Sequence, residues 1–195
     1  MVDYDTETAL IVVDVQNDFA DPEGSLYVSG GEEVVPFINA EIERARAAGA
    51  TVVYTQDWHP PDTPHFEKDG GIWPVHCVRD GWGAELHPDL VVVAGERVRV
   101  GTGGEDGYSA FTVRDPISSA ESSTGLEDQL HDRGVSRVVV VGIATDYCVK
   151  ETALDAARKG FTTTVLQEGI RAVNLEPEDG SRAVEEMKDA DIEVR

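Results

Sequence analysis

Apolar runs of strand length alternate along this chain with stretches in which apolar residues recur at helical spacing. The runs occupy residues 8–15, 51–55, 137–141 and 162–166, with shorter strand pieces at 90–93, 97–100 and 192–194. Helical spacing occurs at residues 32–48, 125–133, 146–159 and 177–189. Strands that are apolar throughout and alternate with helices are typical of parallel sheets covered on both faces. The pattern predicts an α/β fold with three layers, α/β/α, around a mainly parallel, doubly wound (Rossmann-like) sheet.

Three residues with reactive side chains lie at the ends of predicted strands. Asp14 lies at the end of the first run, Asp57 follows the second, and Cys148 follows the run at 137–141. Functional sites of parallel sheets form beyond the carboxyl ends of the strands. The irregular segment 57–88 also begins at this edge, and long loops in compact domains are commonly functional. The sequence therefore predicts a site here. Asp14 has a structural alternative, a carboxylate that caps a neighbouring turn.

Residues 142–149 connect a buried strand to a predicted helix and place Cys148 in the first turn of that helix. The free N–H groups and partial positive charge of a helix N-terminus favour a thiolate over a thiol. The same N–H groups can hold an oxyanion. This segment thus predicts a nucleophile beside a site for the charge that its attack creates. The alternative is a small apolar cysteine that packs the helix onto the sheet.

A second group of reactive side chains falls in the irregular segment. Asp57 and His59 are two residues apart, so on an extended backbone they point the same way, and His65 and His76 follow. One carboxylate and three imidazoles match a catalytic site for Zn²⁺, Mn²⁺ or Fe²⁺. Solvated loop histidines are the alternative. Cys77 is either a further ligand or, as we favour, a packed residue. We expect the other two histidines, His87 and His131, to lie at the surface.

Composition limits what the protein can be. The chain has 195 residues and is most simply one domain, 1–195. It has no apolar run of membrane-spanning length and no apolar segment of signal-peptide type, so we expect a cytoplasmic protein. Its net charge of −22 argues against nucleic acid and anionic membranes as partners. Scattered acidic residues with few lysines indicate a salt-loving host, the alternative being an ordinary acidic protein.

The segment 101–107 is rich in glycine but matches neither a phosphate-binding Walker loop nor a dinucleotide fingerprint. A flexible turn is a sufficient interpretation of it. The residues after it, 108–111, could line a pocket.

Taken together, these motifs resemble those of the nicotinamidase/pyrazinamidase family, within the isochorismatase-like cysteine hydrolase superfamily. The resemblance covers nearly the whole chain and is carried by residues 14–19, 57–59, 73–77, 107–111 and 142–149. It implies the isochorismatase-like fold. It also implies hydrolysis of nicotinamide to nicotinate and ammonia through a cysteine thioester, in NAD salvage, with pyrazinamide as a further substrate.

The resemblance implies a role for each catalytic residue. Cys148 would be the nucleophile and Asp14 the group that takes and returns its proton. The backbone N–H groups of Ala144 and Cys148 would form the oxyanion hole, so Ala144 would contact the substrate. The peptide bond between Ile143 and Ala144 would be cis.

A divalent metal ion is also implied by the resemblance, with Zn²⁺ first and Mn²⁺ or Fe²⁺ as alternatives. Asp57, His59 and His76 would hold it, with His65 as an additional ligand, and it would orient the pyridine nitrogen of the substrate. The slot around the ring would consist of three aromatic residues, Phe19, Trp73 and Tyr108. The partner would be a small amide; the oligomeric state stays open, and a homo-oligomer is compatible with the sequence.

One position departs from the family pattern. Where the family has a catalytic lysine, this chain has Val100. Arg99 is the candidate substitute, but side chains alternate along a strand, so it would need a bulge or a register shift to reach the site. Two alternatives to a nicotinamidase therefore stay open. One is a cysteine hydrolase of another small amide, and the other is a weakly active or inactive paralogue that binds a small aromatic ligand.

Overall fold

The computed structural model describes residues 2–195, and its centre is a six-stranded sheet. The eight strands are β1 (Thr8–Val13), β2 (Thr51–Asp57), β3 (Glu96–Val100), β4 (Thr112–Arg114), β5 (Glu121–Ser123), β6 (Arg137–Ile143), β7 (Thr162–Arg171) and β8 (Glu193–Val194). The order in the sheet is β3-β2-β1-β6-β7-β8, and every neighbouring pair is parallel. The predicted parallel sheet is confirmed. The antiparallel hairpin β4–β5 was not predicted.

Helices cover both faces of this sheet. They are α1 (Asn17–Ala20), α2 (Val35–Ala47), α3 (Leu126–Asp132), α4 (Lys150–Arg158) and α5 (Asp179–Asp189). Helix α2 packs Ile38 and Ile42 against Leu10 of β1 on one face. On the other face, α3, α4 and α5 pack against alternate residues of the same strands, such as Ile11. The three-layer α/β/α arrangement is therefore confirmed. Within residues 2–195, the helices are too short or too polar to cross a membrane.

After β1, the strands β2 and β3 are added on one side of it, and β6, β7 and β8 are added on the other side. The carboxyl ends of β1 and β6 are therefore adjacent at the point where the strand order reverses. Val13 pairs with Gly142 there, and a Cβ on Gly142 would lie 2.0 Å from the carbonyl oxygen of Val13. Gly142 also has φ +123°, which glycine adopts readily. Glycine thus permits the close approach that places Asp14 beside the segment carrying Cys148.

Two predictions about strands were wrong. Residues 90–93 form no strand, because side chains rather than a neighbouring strand bind the backbone groups of Val91: its N–H donates to Asn39 and its carbonyl accepts from Tyr54. Strand β7 continues well past the predicted end at residue 166. The segment after β2 does lack regular structure, apart from short 3₁₀ turns at Glu67–Asp69 and Trp82–Ala84.

Candidate active site

Cys148 lies in a wide turn between β6 and α4. Residues Thr145–Val149 form a π-helical turn in which the N–H of Val149 donates to the carbonyl of Ala144, 3.0 Å away. The α-helix predicted from residue 146 therefore starts only at Lys150. Single π turns are frequent at functional sites. The Ile143–Ala144 peptide is cis, as the resemblance implied. The backbone N–H of Ala144 contacts the Cys148 thiol.

Asp14 and Cys148 are buried next to each other, and each shifts the pKa of the other. Thr55 of β2 fixes Asp14 from the other side: its hydroxyl donates to Oδ1 at 2.6 Å and accepts from the Asp14 N–H at 3.1 Å. Asp14 has φ +46°, an uncommon conformation for a non-glycine residue that is often found at functional sites. A thiol buried beside a carboxylate is the combination that a nucleophile and its base require.

The electrostatics of the pair differ from the expectation of a thiolate. Burial, and then the negative charges of Asp14 and Asp57, raise the pKa of the Cys148 thiol well above its ordinary value. The Ala144 N–H lowers it, but by less. Burial and the Asp57 carboxylate also raise the pKa of Asp14 to about 8, against the lowering effect of its hydrogen bonds with Thr55 and Cys148. The helix N-terminus was predicted to favour a thiolate, but burial and two carboxylates outweigh its effect on the pKa of Cys148.

Arg99 does not substitute for the absent lysine. Strands β2 and β3 pair in unbroken register from Val53 opposite Glu96 to Asp57 opposite Val100, so no bulge turns Arg99 around. The Arg99 guanidinium instead lies over the ring of Trp58, 3.7 Å from its centroid. Val100 is buried on the opposite face. In the described chain, the cavity next to Cys148 is lined by neither lysine nor arginine.

Three histidines and Asp57 converge next to this pair. His59, His65 and His76 are buried, and each offers a ring nitrogen that lies within 4.8 Å of the others. Oδ2 of Asp57 lies 3.5 Å from Nε2 of His59 and 3.6 Å from Nε2 of His76. Burial alone would raise the pKa of Asp57, but the two imidazoles outweigh it and hold the pKa below its usual range. The predicted cluster is therefore present, with His65 as close as the other two.

The donor set fits a divalent metal ion. Nδ1 of His76 lies 2.7 Å from the carbonyl oxygen of Pro74, which can only accept, so Nδ1 carries the proton and Nε2 keeps a lone pair. Within residues 2–195, Nε2 of His59 has no hydrogen-bonding partner although it is fully buried. An unsatisfied buried nitrogen is costly unless something binds it. Three imidazoles and one carboxylate are ligands that suit Zn²⁺, Mn²⁺ or Fe²⁺.

A cavity lies between Cys148 and the histidine cluster. Its wall includes Cys148, Asp57, His65 and His76. The three aromatic residues predicted for the ring slot also line it: Phe19, Trp73 and Tyr108. Trp73 Nε1 donates to the Tyr108 hydroxyl at 2.8 Å, which fixes the two rings relative to each other. Sequence reasoning missed five further wall residues, Leu26, Val28, Ile143, Tyr147 and Val173. Only Ile143 and Tyr147 had a usable signal, as the neighbours of Ala144 and Cys148.

Two buried side chains hold the segments that carry the proposed metal ligands, and neither was predicted. The side-chain amide of Gln16 binds both backbone groups of Asp57: its Oε1 accepts from the Asp57 N–H and its Nε2 donates to the Asp57 carbonyl, both at 2.8 Å. Asp18 accepts from the Cys77 N–H at 2.7 Å and so anchors the residue next to His76. Both follow Asp14 in the motif 14–19, which was the only sequence signal for them.

Of the predictions for the remaining cysteine and histidines, the one for His87 was wrong. Cys77 is fully buried, its thiol faces the carbonyl of Gly83 at 3.7 Å, and it is not part of the histidine cluster, consistent with a packed residue. His131 lies at the surface as predicted. His87 is buried, so its prediction was wrong. Its N–H donates to the carbonyl of Val15, which draws the loop inward.

Comparisons with known proteins agree with this geometry. The isochorismatase domain model matches residues 8–194. The nicotinamidase/pyrazinamidase of Mycobacterium tuberculosis is 40% identical over 189 residues, which cover 95% of this chain and 97% of that protein. The pyrazinamidase of Pyrococcus horikoshii, solved in complex with zinc, superposes with a TM-score of 0.85 at 38% identity and covers 97% and 98% of the two chains. The PnC1 protein of L. infantum, solved in complex with nicotinate, gives 0.89 at 38% identity, covering 100% and 95%.

Proposed function

The chain belongs to the isochorismatase domain family and is an amidohydrolase, and we propose that it hydrolyses nicotinamide to nicotinate and ammonia. The observation that carries the proposal is the shared cavity. Cys148, two of the three clustered histidines and three aromatic side chains line the same small space, and Asp14 lies beside Cys148. That space suits a flat aromatic amide. Pyrazinamide, which differs within the ring, would fit the same wall.

The cysteine and the carboxylate would perform the covalent chemistry. Asp14, once ionised, takes the proton of the Cys148 thiol as the sulfur attacks the carboxamide carbon. The substrate's carbonyl oxygen becomes an oxyanion, which the backbone N–H groups of Ala144 and Cys148 would stabilise. Asp14 then gives the proton to the departing nitrogen, so that ammonia leaves and a nicotinoyl thioester remains on Cys148. Water attacks the thioester, Asp14 takes its proton, and nicotinate is released as the thiol forms again.

The histidine cluster would hold the metal ion that the donor set fits. Asp57, His59 and His76, together with His65, would be the ligands, with Zn²⁺ as the ion we propose. When bound, the ion would supply a Lewis acid that orients the ring nitrogen of the substrate. Its positive charge beside Asp57 would also reduce the excess of negative charge around Cys148. That effect matters more here than in a site with a lysine.

Val100 favours a second candidate function. Without a cation at this position, two carboxylates, Asp14 and Asp57, act on the thiol, and no lysine or arginine of the described residues lines the cavity to offset them. Loss of a positioned charge typically costs about 3 kcal/mol of transition-state stabilisation. The protein would then be a slow amidohydrolase, or a paralogue that binds a small aromatic ligand. The contact between Asp14 and Cys148 is intact, so we favour the active enzyme.

Ammonia release from nicotinamide tests the proposal. We would assay the wild type in molar KCl, as its charge of −22 suggests, with added Zn²⁺, Mn²⁺ or Fe²⁺. Cys148→Ala is the blank, and Cys77→Ala is the matched control because its thiol lies outside the cavity. We expect turnover by the wild type and the control only. No turnover with any metal, in a protein shown to be folded, would refute the nicotinamidase function and favour the binding paralogue.

A further inference from the structure

Asp106 contacts one of the histidines of the cluster directly. Its Oδ1 lies 2.7 Å from Nδ1 of His65, whose side chain is 4% exposed. If the Nδ1 proton is donated to this carboxylate, the other ring nitrogen of His65 keeps its lone pair. A carboxylate that binds the far nitrogen of a ligating histidine fixes its orientation and raises its basicity. Asp106 lies in the glycine-rich segment 101–107, for which the sequence offered no role.

The whole segment 101–107 forms a wall behind the cluster. A Cβ on Gly101 would lie 2.5 Å from Cε1 of His59, and one on Gly107 would lie 3.1 Å from Oδ1 of Asp57. The glycines thus let the backbone approach two of the proposed ligands, while Asp106 reaches His65. Asp106 is itself fixed, because its N–H and carbonyl both pair with Arg114, at 2.7 and 3.1 Å. Strand β4 therefore holds the backbone from which the Asp106 side chain reaches His65.

We infer that Asp106 is a positioning residue for the metal ion, acting through His65. The inference deepens the proposed site and rests on it. Loss of such a carboxylate typically weakens metal binding by about 10–100-fold. The expected effect is on affinity, so it can be measured without turnover.

Zinc affinity, measured by competition with a chromophoric chelator at fixed pH and salt, tests the inference. Asp106→Ala should weaken binding by about 10–100-fold. Asp106→Asn should weaken it less, because the amide oxygen still accepts from His65. Glu105→Gln is the matched control: it removes one charge from the same loop, where Glu105 binds only the N–H of Gly103 among the contacts seen here. It should leave the affinity unchanged.

A double-mutant cycle separates an effect through His65 from a general one. In a His65→Ala background, Asp106→Ala should cause no further loss. Equal loss in both backgrounds, or wild-type affinity of Asp106→Ala, would overturn the inference. If Asp106→Ala fails to fold, zinc affinity is measured for Asp106→Asn in the same two backgrounds, and the same criteria apply. Failure of the wild type to bind zinc at all would refute the metal site itself, whereas tight binding indifferent to Asp106 would refute only this inference.

Discussion

The thiol of Cys148 is buried next to the carboxylate of Asp14, and no lysine or arginine of the described chain lines the cavity beside them. Both groups consequently favour their protonated forms. Asp14 must lose its proton before it can act as a base, and this requirement determines how the enzyme should respond to pH, to substitution and to reagents.

The acid limb of the pH–rate profile should reflect Asp14. Its pKa is raised to about 8, so the reactive carboxylate is scarce at lower pH. We expect kcat/KM for nicotinamide to fall as the pH drops below about 8. A profile whose acid limb lies near pH 4, the range of an ordinary carboxyl group, would contradict this assignment.

Restoring a cation at position 100 should accelerate the reaction. In Val100→Lys, an ammonium group would favour the ionised forms of Asp14 and Cys148. We expect kcat/KM at pH 7 to rise by about 100-fold and the acid limb to move to lower pH. Val100→Met, similar in length but uncharged, is the control and should show neither change. A lysine variant that folds and behaves like the methionine variant would show that the missing charge does not limit catalysis.

Asp14 should also make stability depend on pH. Between pH 3.8, the ordinary pKa of an aspartate carboxyl group, and about pH 8, the raised pKa of Asp14, the folded state holds a proton that the unfolded state has released. The free energy of unfolding of the wild type should therefore fall, relative to Asp14→Asn, as the pH rises through this window, by at most about 1.4 kcal/mol per pH unit. Urea unfolding with chelator present, at several pH values, measures the difference. A difference that is constant with pH would exclude the raised pKa.

The two cysteines should differ in reactivity. Cys148 faces the cavity, whereas Cys77 is fully buried outside it. We expect iodoacetamide to modify Cys148 faster, and more so as the pH rises, because the thiolate is the reactive form. Nicotinate, as a ligand of the same cavity, should slow the modification. Equal labelling of both cysteines, read by peptide mass spectrometry, would argue against a reactive Cys148.

Gly142 should be essential for stability. A side chain there would meet the carbonyl of Val13 at 2.0 Å and would have to adopt φ +123°. We expect Gly142→Ala to lower the free energy of unfolding by more than about 3 kcal/mol. Gly134→Ala is the control: φ is +74° and nothing lies within 4 Å of the added Cβ, so the cost should be about 1 kcal/mol. Similar costs for both would mean that the close strand contact is not needed.

The sequence pattern predicted the strands correctly where local apolar periodicity determines the structure. Strands β1 and β6 consist of nearly continuous apolar residues, and a parallel sheet buries such strands on both faces. Alternation along β3 also correctly indicated that Arg99 faces away from Val100. Residues 90–93 have the same apolar character, but the backbone groups of Val91 bond to the side chains of Asn39 and Tyr54, which are distant in sequence.

The site was harder to predict where electrostatics or distant contacts decided it. A helix N-terminus suggested a thiolate at Cys148, yet burial beside Asp14 and Asp57 has the larger effect. That balance exists only once the strands have assembled. The pairing of Asp106 with His65 likewise joins two loops with no shared pattern.

Trapping of the acyl intermediate tests the central claim, that Cys148 attacks the amide carbon of nicotinamide. Hydroxylamine added to the reaction competes with water for a thioester and gives the hydroxamate of nicotinic acid. The account predicts that the wild type forms this hydroxamate at the expense of nicotinate, and that Cys148→Ala forms neither. Nicotinate production without hydroxamate at any hydroxylamine concentration, or turnover that persists in Cys148→Ala, would contradict it.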